Sequence, residues 1–171
     1  MITIYLLSVS KTNPVYKNIV NLINNTMSGF FKSSIGRKVA MALSEFIMTR
    51  YPKDSLDIVV FGDDAWPVSV KDLPYLQVGP YHTNTVAGLE LAMEILRRKR
   101  SGNKQIFMIT DGKPSCVKEK DGTYYMNSNG LDPYVTEKCY TQAAQARKLH
   151  IPITTFMIAR DSYLQQFVDK F

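Results

Sequence analysis

Ile106-Phe-Met-Ile-Thr110-Asp111-Gly112-Lys113-Pro114 is an apolar run that ends in a carboxylate and then turns at once. In open α/β sheets, ligands collect outside the carboxyl ends of the strands. A short strand-to-loop junction holds an acidic oxygen rigidly at such a place. Asp111 is therefore the first candidate site residue.

The segments around it alternate between two periodicities. Ile2 to Ser8 reads as a first strand, and Asn13-Pro14 supplies an N-cap with proline at the first helical position. Val15, Tyr16, Ile19, Val20, Ile23 and Met27 then recur at helical steps until Ser28-Gly29. A second helix is expected from about Ser34, ending at Tyr51-Pro52 because the residue before proline avoids the helical region. Leu56 to Phe61 is a near-continuous apolar run, the pattern of a strand buried on both faces. Trp66 to Val70 suits a short edge strand, and Leu73 to Pro80 a crossing segment. Thr85 begins a helix with Leu89, Ala92, Met93 and Leu96 facing inward. Lys113 to Asp132, rich in Gly, Asn, Ser and Tyr, reads as a long functional surface loop. Asp132-Pro133 opens another helix to about Leu149, Ile151 to Ala159 supplies a further buried strand, and Asp161 caps a last short helix. Alternation of strand and helix predicts an α/β fold: a three-layer, doubly wound, mostly parallel sheet with helices on both faces and one antiparallel edge strand.

With 171 residues the chain suits one domain, long enough to bury roughly 70% of its unfolded surface without staples. Cys116 and Cys139 lack metal or redox spacing, which points to a reducing, cytoplasmic setting. The apolar opening Met1 to Ser8 has no basic flank and is too short to span a bilayer, so no membrane segment is expected. The net charge of +6 is densest at Arg97-Arg98-Lys99-Arg100, with Lys104 beyond. These residues close a predicted helix, where cations complement the macrodipole and stay solvated, and no aromatic stacking motif accompanies them.

Oxygen-bearing side chains gather at three junctions: Ser8-Val-Ser10-Lys-Thr12, Thr83-Asn-Thr85 and Asp111-Gly112. Together with Asp57-Ile-Val-Val-Phe-Gly62, His82 to Leu89, Ile109 to Pro114 and Ile153 to Ile158, they give a chain that resembles the von Willebrand factor A (VWA) domain, bacterial intracellular type. The resemblance runs over nearly all of residues 1–171, although the family commonly closes with one more strand and helix. It implies a metal-ion-dependent adhesion site for Mg²⁺ or Mn²⁺, built from an Asp-x-Ser-x-Ser loop, a threonine loop and an Ile-Thr-Asp-Gly-type loop. Carried over, Ser8, Ser10, Thr12, Thr83 and Asp111 are the candidate metal ligands. It also implies a protein partner that presents an acidic residue, and work beside an AAA+ ATPase.

Hard oxygens suit such ions independently of the resemblance. The first motif position, however, holds Ser8 instead of Asp. Losing that unit charge costs on the order of a few kcal/mol of attraction at an effective dielectric near 20. Lys11 and Lys113 in the same loops offer a metal-free cationic alternative. A second register makes Asn18 to Ile23 the strand and Asn24, Asn25 and Thr26 its loop, with Leu22 in the acidic place. Asn13-Pro14 and the helical stripe favour Ser8, and either register lacks the first Asp.

Three further readings complete the expectations. An exposed last strand, Ile153 to Ile158, invites homodimerisation by edge pairing. Catalysis is not expected, since no nucleophile elbow, P-loop, dinucleotide fingerprint or zinc-protease motif occurs. The alternatives are a metal-assisted phosphohydrolase using Asp63, Asp64 and Asp111, and a basic nucleic-acid-binding domain. Asp63 and Asp64 otherwise read as a solvated turn, His82 as a packing residue or one that supports a ligand residue, and Tyr124, Tyr125, Tyr134 and Tyr140 as packing or interface anchors.

Overall fold

A computed structural model describes residues 3–7, 35–50, 52, 54–76, 82–100, 102–110 and 113–157. The elements are β1 (Thr3–Leu7), α1 (Ile35–Arg50), β2 (Asp57–Phe61), β3 (Ala65–Val68), a 3₁₀ helix (Val70–Tyr75), α2 (Thr85–Arg98), β4 (Ile106–Thr110), β5 (Cys116–Lys118), β6 (Tyr124–Met126), α3 (Pro133–Lys148) and β7 (Ile153–Met157). The expected helix over Asn13 to Met27 and the last helix from Asp161 lie outside the described residues.

The fold is α/β, and the described strands form a five-stranded sheet ordered β3-β2-β1-β4-β7. In β2, residues Ile58 to Phe61 are buried, and so is all of β4. Alternate residues of a strand point to opposite faces, so both faces of these two strands are withdrawn from water. The odd-numbered face of β2, Val59 and Phe61, packs with Met108 of β4 against Leu89, Ala92, Met93 and Leu96 of α2 and Ala146 of α3. Fully burying an apolar side chain of this size contributes about 1.5–3 kcal/mol. The inward stripe read from the sequence is thus the stripe that packs. Elsewhere in the core, α1 buries Ser44 and Ile47 and lies against β1 and the 3₁₀ helix.

Strand direction corrects the expectation of a mostly parallel sheet. Among the described residues only β4 and β7 pair in parallel; β1 is antiparallel to both β2 and β4, and β3 is antiparallel to β2. Leu7, the last residue of β1, stands opposite Asp57 and Ile106, where β2 and β4 begin. Alternation of apolar and polar residues reads the same from either end of a strand, so it marks a strand without fixing its direction. The segment Lys113 to Asp132 is also corrected, from an open loop to a second sheet in which β5 pairs with β6. Its turn contains Gly122 at φ 87°, a left-handed conformation that glycine adopts without steric cost.

Two of the three α-helices have well-defined starts. Asn84 caps α2 by accepting from Ala87 N at 3.0 Å, and Asp132 caps α3 by accepting from Val135 N at 3.1 Å, with Pro133 in the first turn. At the far end of α3, His150 takes the left-handed conformation (φ 56°). His150 N bonds to Arg147 O at 3.0 Å and Ile151 N to Ala146 O at 2.9 Å, the two bonds of a Schellman stop. Ile151 is thereby returned to the core.

Candidate functional site

The loop leaving β2 and the segment entering α2 are bound to each other at the carboxyl end of the central strands. Gly62 N bonds to Asp64 O at 2.8 Å, which tightens the turn, and Asn84 N bonds to Gly62 O at 2.8 Å. Asn84 Nδ2 donates to Asp63 O at 2.8 Å. The Asp63 carboxylate accepts from His82 N at 2.7 Å and stands 3.1 Å from His82 Nδ1. The Asp63 and Asp64 turn therefore forms as read, but with both acids engaged, and His82 is the brace for one of them. Asn84, fully buried, serves four partners at once, Gly62, Asp63, Ala87 and Gly88; its type just before a helix was the signal for its capping role.

Thr83 is held between these braces. Ser115 Oγ accepts from Thr83 N at 3.1 Å, and Ser115 N donates to Thr83 O at 3.0 Å. The residue is 2% exposed, yet its Oγ1 has no hydrogen-bond partner among the described residues. An unsatisfied buried hydroxyl costs about 1–3 kcal/mol, so a fold that fixes the backbone of Thr83 on both sides while leaving its oxygen free requires an explanation. A neutral hard oxygen of this kind is a ligand type that Mg²⁺ and Mn²⁺ accept.

The β5–β6 hairpin closes one side. Tyr124 OH and Lys118 Nζ both donate to Asp64, whose carboxyl is held below the usual range by Tyr124 first and Lys118 second. Tyr125 OH at 2.9 Å and Asn127 Nδ2 at 2.7 Å both donate to Asp132 Oδ2. The Asp132 carboxyl is lowered chiefly by the Val135 N–H it caps. Tyr134 OH donates to Glu119 Oε1 at 2.6 Å, and its ring meets Tyr125 edge-on at 5.1 Å. Three of the four tyrosines singled out in the sequence thus fasten the hairpin. Burial pushes the Cys116 thiol to about 11 and the Cys139 thiol to about 12, so neither is a thiolate at neutral pH.

Of the five candidate ligands, Thr83 lies in this arrangement; Ser8, Ser10, Thr12 and Asp111 lie outside the described residues. Among the described residues no group of three His, Cys, Asp or Glu side chains is arranged to hold a metal. No described helix is long and apolar enough to cross a membrane. Ser115 was missed because nothing local in the sequence distinguishes it from other loop serines.

The chain is 29% identical over 139 residues to the uncharacterized protein Rv0959 of Mycobacterium tuberculosis (strain H37Rv), and equally to Mb0984 of Mycobacterium bovis. These matches cover 78% of the chain and 20% of each relative, so the chain spans about a fifth of their length. No solved structure matches it. Residues 25–171 match the vWA domain of the Rv0959-like proteins, and with the packed strands and the braced threonine loop in place, the chain belongs to that vWA family.

Proposed function

We propose that this domain is a protein-interaction module whose crown, at the carboxyl ends of β2 and β4, grips an acidic side chain of a partner protein through a bound Mg²⁺ or Mn²⁺. The observation that carries the reading is the buried, unpartnered Thr83 hydroxyl. Thr83 and Asp111 would hold the ion together with hydroxyls of the first loop, and the partner's carboxylate would complete its shell. Burial of both faces of β2 and β4 supports the three-layer, doubly wound arrangement such a crown needs. An AAA+ ATPase assembly is the setting that the resemblance implies.

The first loop needs a revised register. β1 ends at Leu7, opposite the starts of β2 and β4 and so at the sheet end away from Thr83, which makes Ser8, Ser10 and Thr12 the poorer choice. Asn24-Asn25-Thr26-Met27-Ser28 has the spacing of Asp-x-Ser-x-Ser, with Asn in the acidic place and hydroxyls at the next two. We therefore assign Thr26 and Ser28 in preference to Ser10 and Thr12. The first carboxylate is missing in this register as well, and affinity for the ion is correspondingly reduced.

The test is calorimetric titration of Mn²⁺ and Mg²⁺ into the chain and into Thr83→Val, Asp111→Ala, Asn24→Asp and Ser8→Asp. Tightening in Asn24→Asp with loss in Thr83→Val and Asp111→Ala supports the site and the register. Tightening in Ser8→Asp alone overturns the site, because Leu7 ends β1 at the sheet end away from Thr83. Binding unchanged by Thr83→Val and Asp111→Ala overturns the site.

A further inference from the structure

The opposite end of the sheet carries a feature that the crown does not use. The helix α2 ends at Arg97-Arg98 and leads through Lys99, Arg100 and Lys104 into β4; α3 ends at Arg147-Lys148 and leads through His150 into β7. Parallel pairing of Ile106 with Ile153, and a bond of 2.9 Å from Ile106 N to Pro152 O, set the starts of β4 and β7 side by side. Leu96 and Ala146, the residues just before each basic pair, lie in one hydrophobic cluster with Ile106 and Ile151. Two basic segments about fifty residues apart in sequence are thus made into one surface.

The acids at this end are few. Arg98 is paired with Glu94, and Lys99 stands 2.8 Å from Asp57. Arg97, Arg100, Lys104, Arg147 and Lys148 make no ion pair among the described residues. Complementing the helix macrodipole accounts for cations in the last turn, but not for Arg100 and Lys104, which lie beyond it. The formal net charge of the chain is +6, and this end supplies much of the surplus.

We infer that this basic end is a second docking surface, for a flexible Asp/Glu-rich segment of a partner protein. Guanidinium forks suit carboxylates, and a flexible chain can pass between cations that project from two separate helix ends. A duplex would offer phosphates at fixed spacing and would meet Glu94 and Asp57 inside the surface. Among the described residues no aromatic side chain stands among these cations for bases to stack on, so a single strand gains only its backbone contacts there.

The test is fluorescence anisotropy of a labelled Asp/Glu peptide, with duplex DNA and phosphatidylserine vesicles as competing probes. Saturable, salt-sensitive peptide binding is expected. Each double reversal, Arg97→Glu with Arg100→Glu or Arg147→Glu with Lys148→Glu, should weaken it about tenfold, as a few lost exposed ion pairs allow. The four together should remove it. The binding should persist in EDTA, which withdraws any divalent ion from the crown and so separates this surface from it. Full binding in the Arg147→Glu, Lys148→Glu variant would mean that the two helix ends do not act together, and would overturn the inference. So would tighter binding to DNA or vesicles than to the peptide, or no binding to the parent chain.

Discussion

The two ends of the sheet are built on different rules. At the crown, Asp63, Asp64, Glu119 and Asp132 are each fixed by named donors, and Thr83, Asn84 and Ser115 beside them are buried. At the basic end, most cations stand in solvent with no acidic partner among the described residues. A site that must hold atoms at fixed distances needs such braces, since a misplacement of about an ångström defeats it. A surface that attracts at range needs charge and exposure and tolerates loose side chains, at the cost of sensitivity to salt.

On that contrast, Asn84→Ala should be the most damaging of the polar changes considered. It removes a helix cap and leaves Asp63 O without its donor. A loss of about 2–3 kcal/mol is expected in denaturant unfolding. Arg97→Ala should change stability by less than about 0.5 kcal/mol in the same assay. Equal losses at the two ends would break the comparison.

Thr83→Val sharpens it. Removing a buried hydroxyl that has no partner should leave the protein as stable as before, or more stable by about 1 kcal/mol. Metal or partner binding should vanish in the same variant. A stability loss measured by thermal unfolding would mean that the hydroxyl has a structural partner.

The basic end has one strained point of its own. His150→Gly relieves a left-handed backbone at the end of α3 and should raise stability by about 1 kcal/mol, read as a higher denaturation midpoint.

Acid provides the smallest test, and only the crown should respond to it. The Asp64 and Asp132 carboxyls are depressed below their ordinary value of 3.8 in the fold. Their stabilisation is therefore present above that value and lost as pH falls through the lower folded values. Thermal midpoints should decline on acidification below about pH 4, and Asp132→Asn should flatten that decline. Charge removal at Arg97 or Arg147 should leave its shape unchanged.

Local patterns carried much of the fold. The stripe of Leu89, Ala92, Met93 and Leu96, the buried runs of β2 and β4, and the Asp132-Pro133 helix start are all set by neighbours a few residues away. The direction of β1 was not legible, because it depends on the route of the chain and not on the strand's own alternation. The hairpin was legible in part. Asp121-Gly122 is a turn signal between two short segments, but three-residue strands carry too little alternation to stand out. At the crown, Thr83 could be named from the sequence, while the engagement of Asp64 by Lys118 and Tyr124 joins residues 54 and 60 positions apart. Ser115, the residue that fixes Thr83, was invisible for the same reason.

That last pairing has a mechanical consequence. Ser115 O accepts from Asn127 N at 2.9 Å, and Asn127 Nδ2 reaches Asp132, which caps α3. The 16 residues of α3 span about 24 Å and end at Arg147-Lys148. A single stiff rod thus begins at the bonds that hold the threonine and carries two of the cations at its last turn, so one helix sets the distance between the two ends of the molecule.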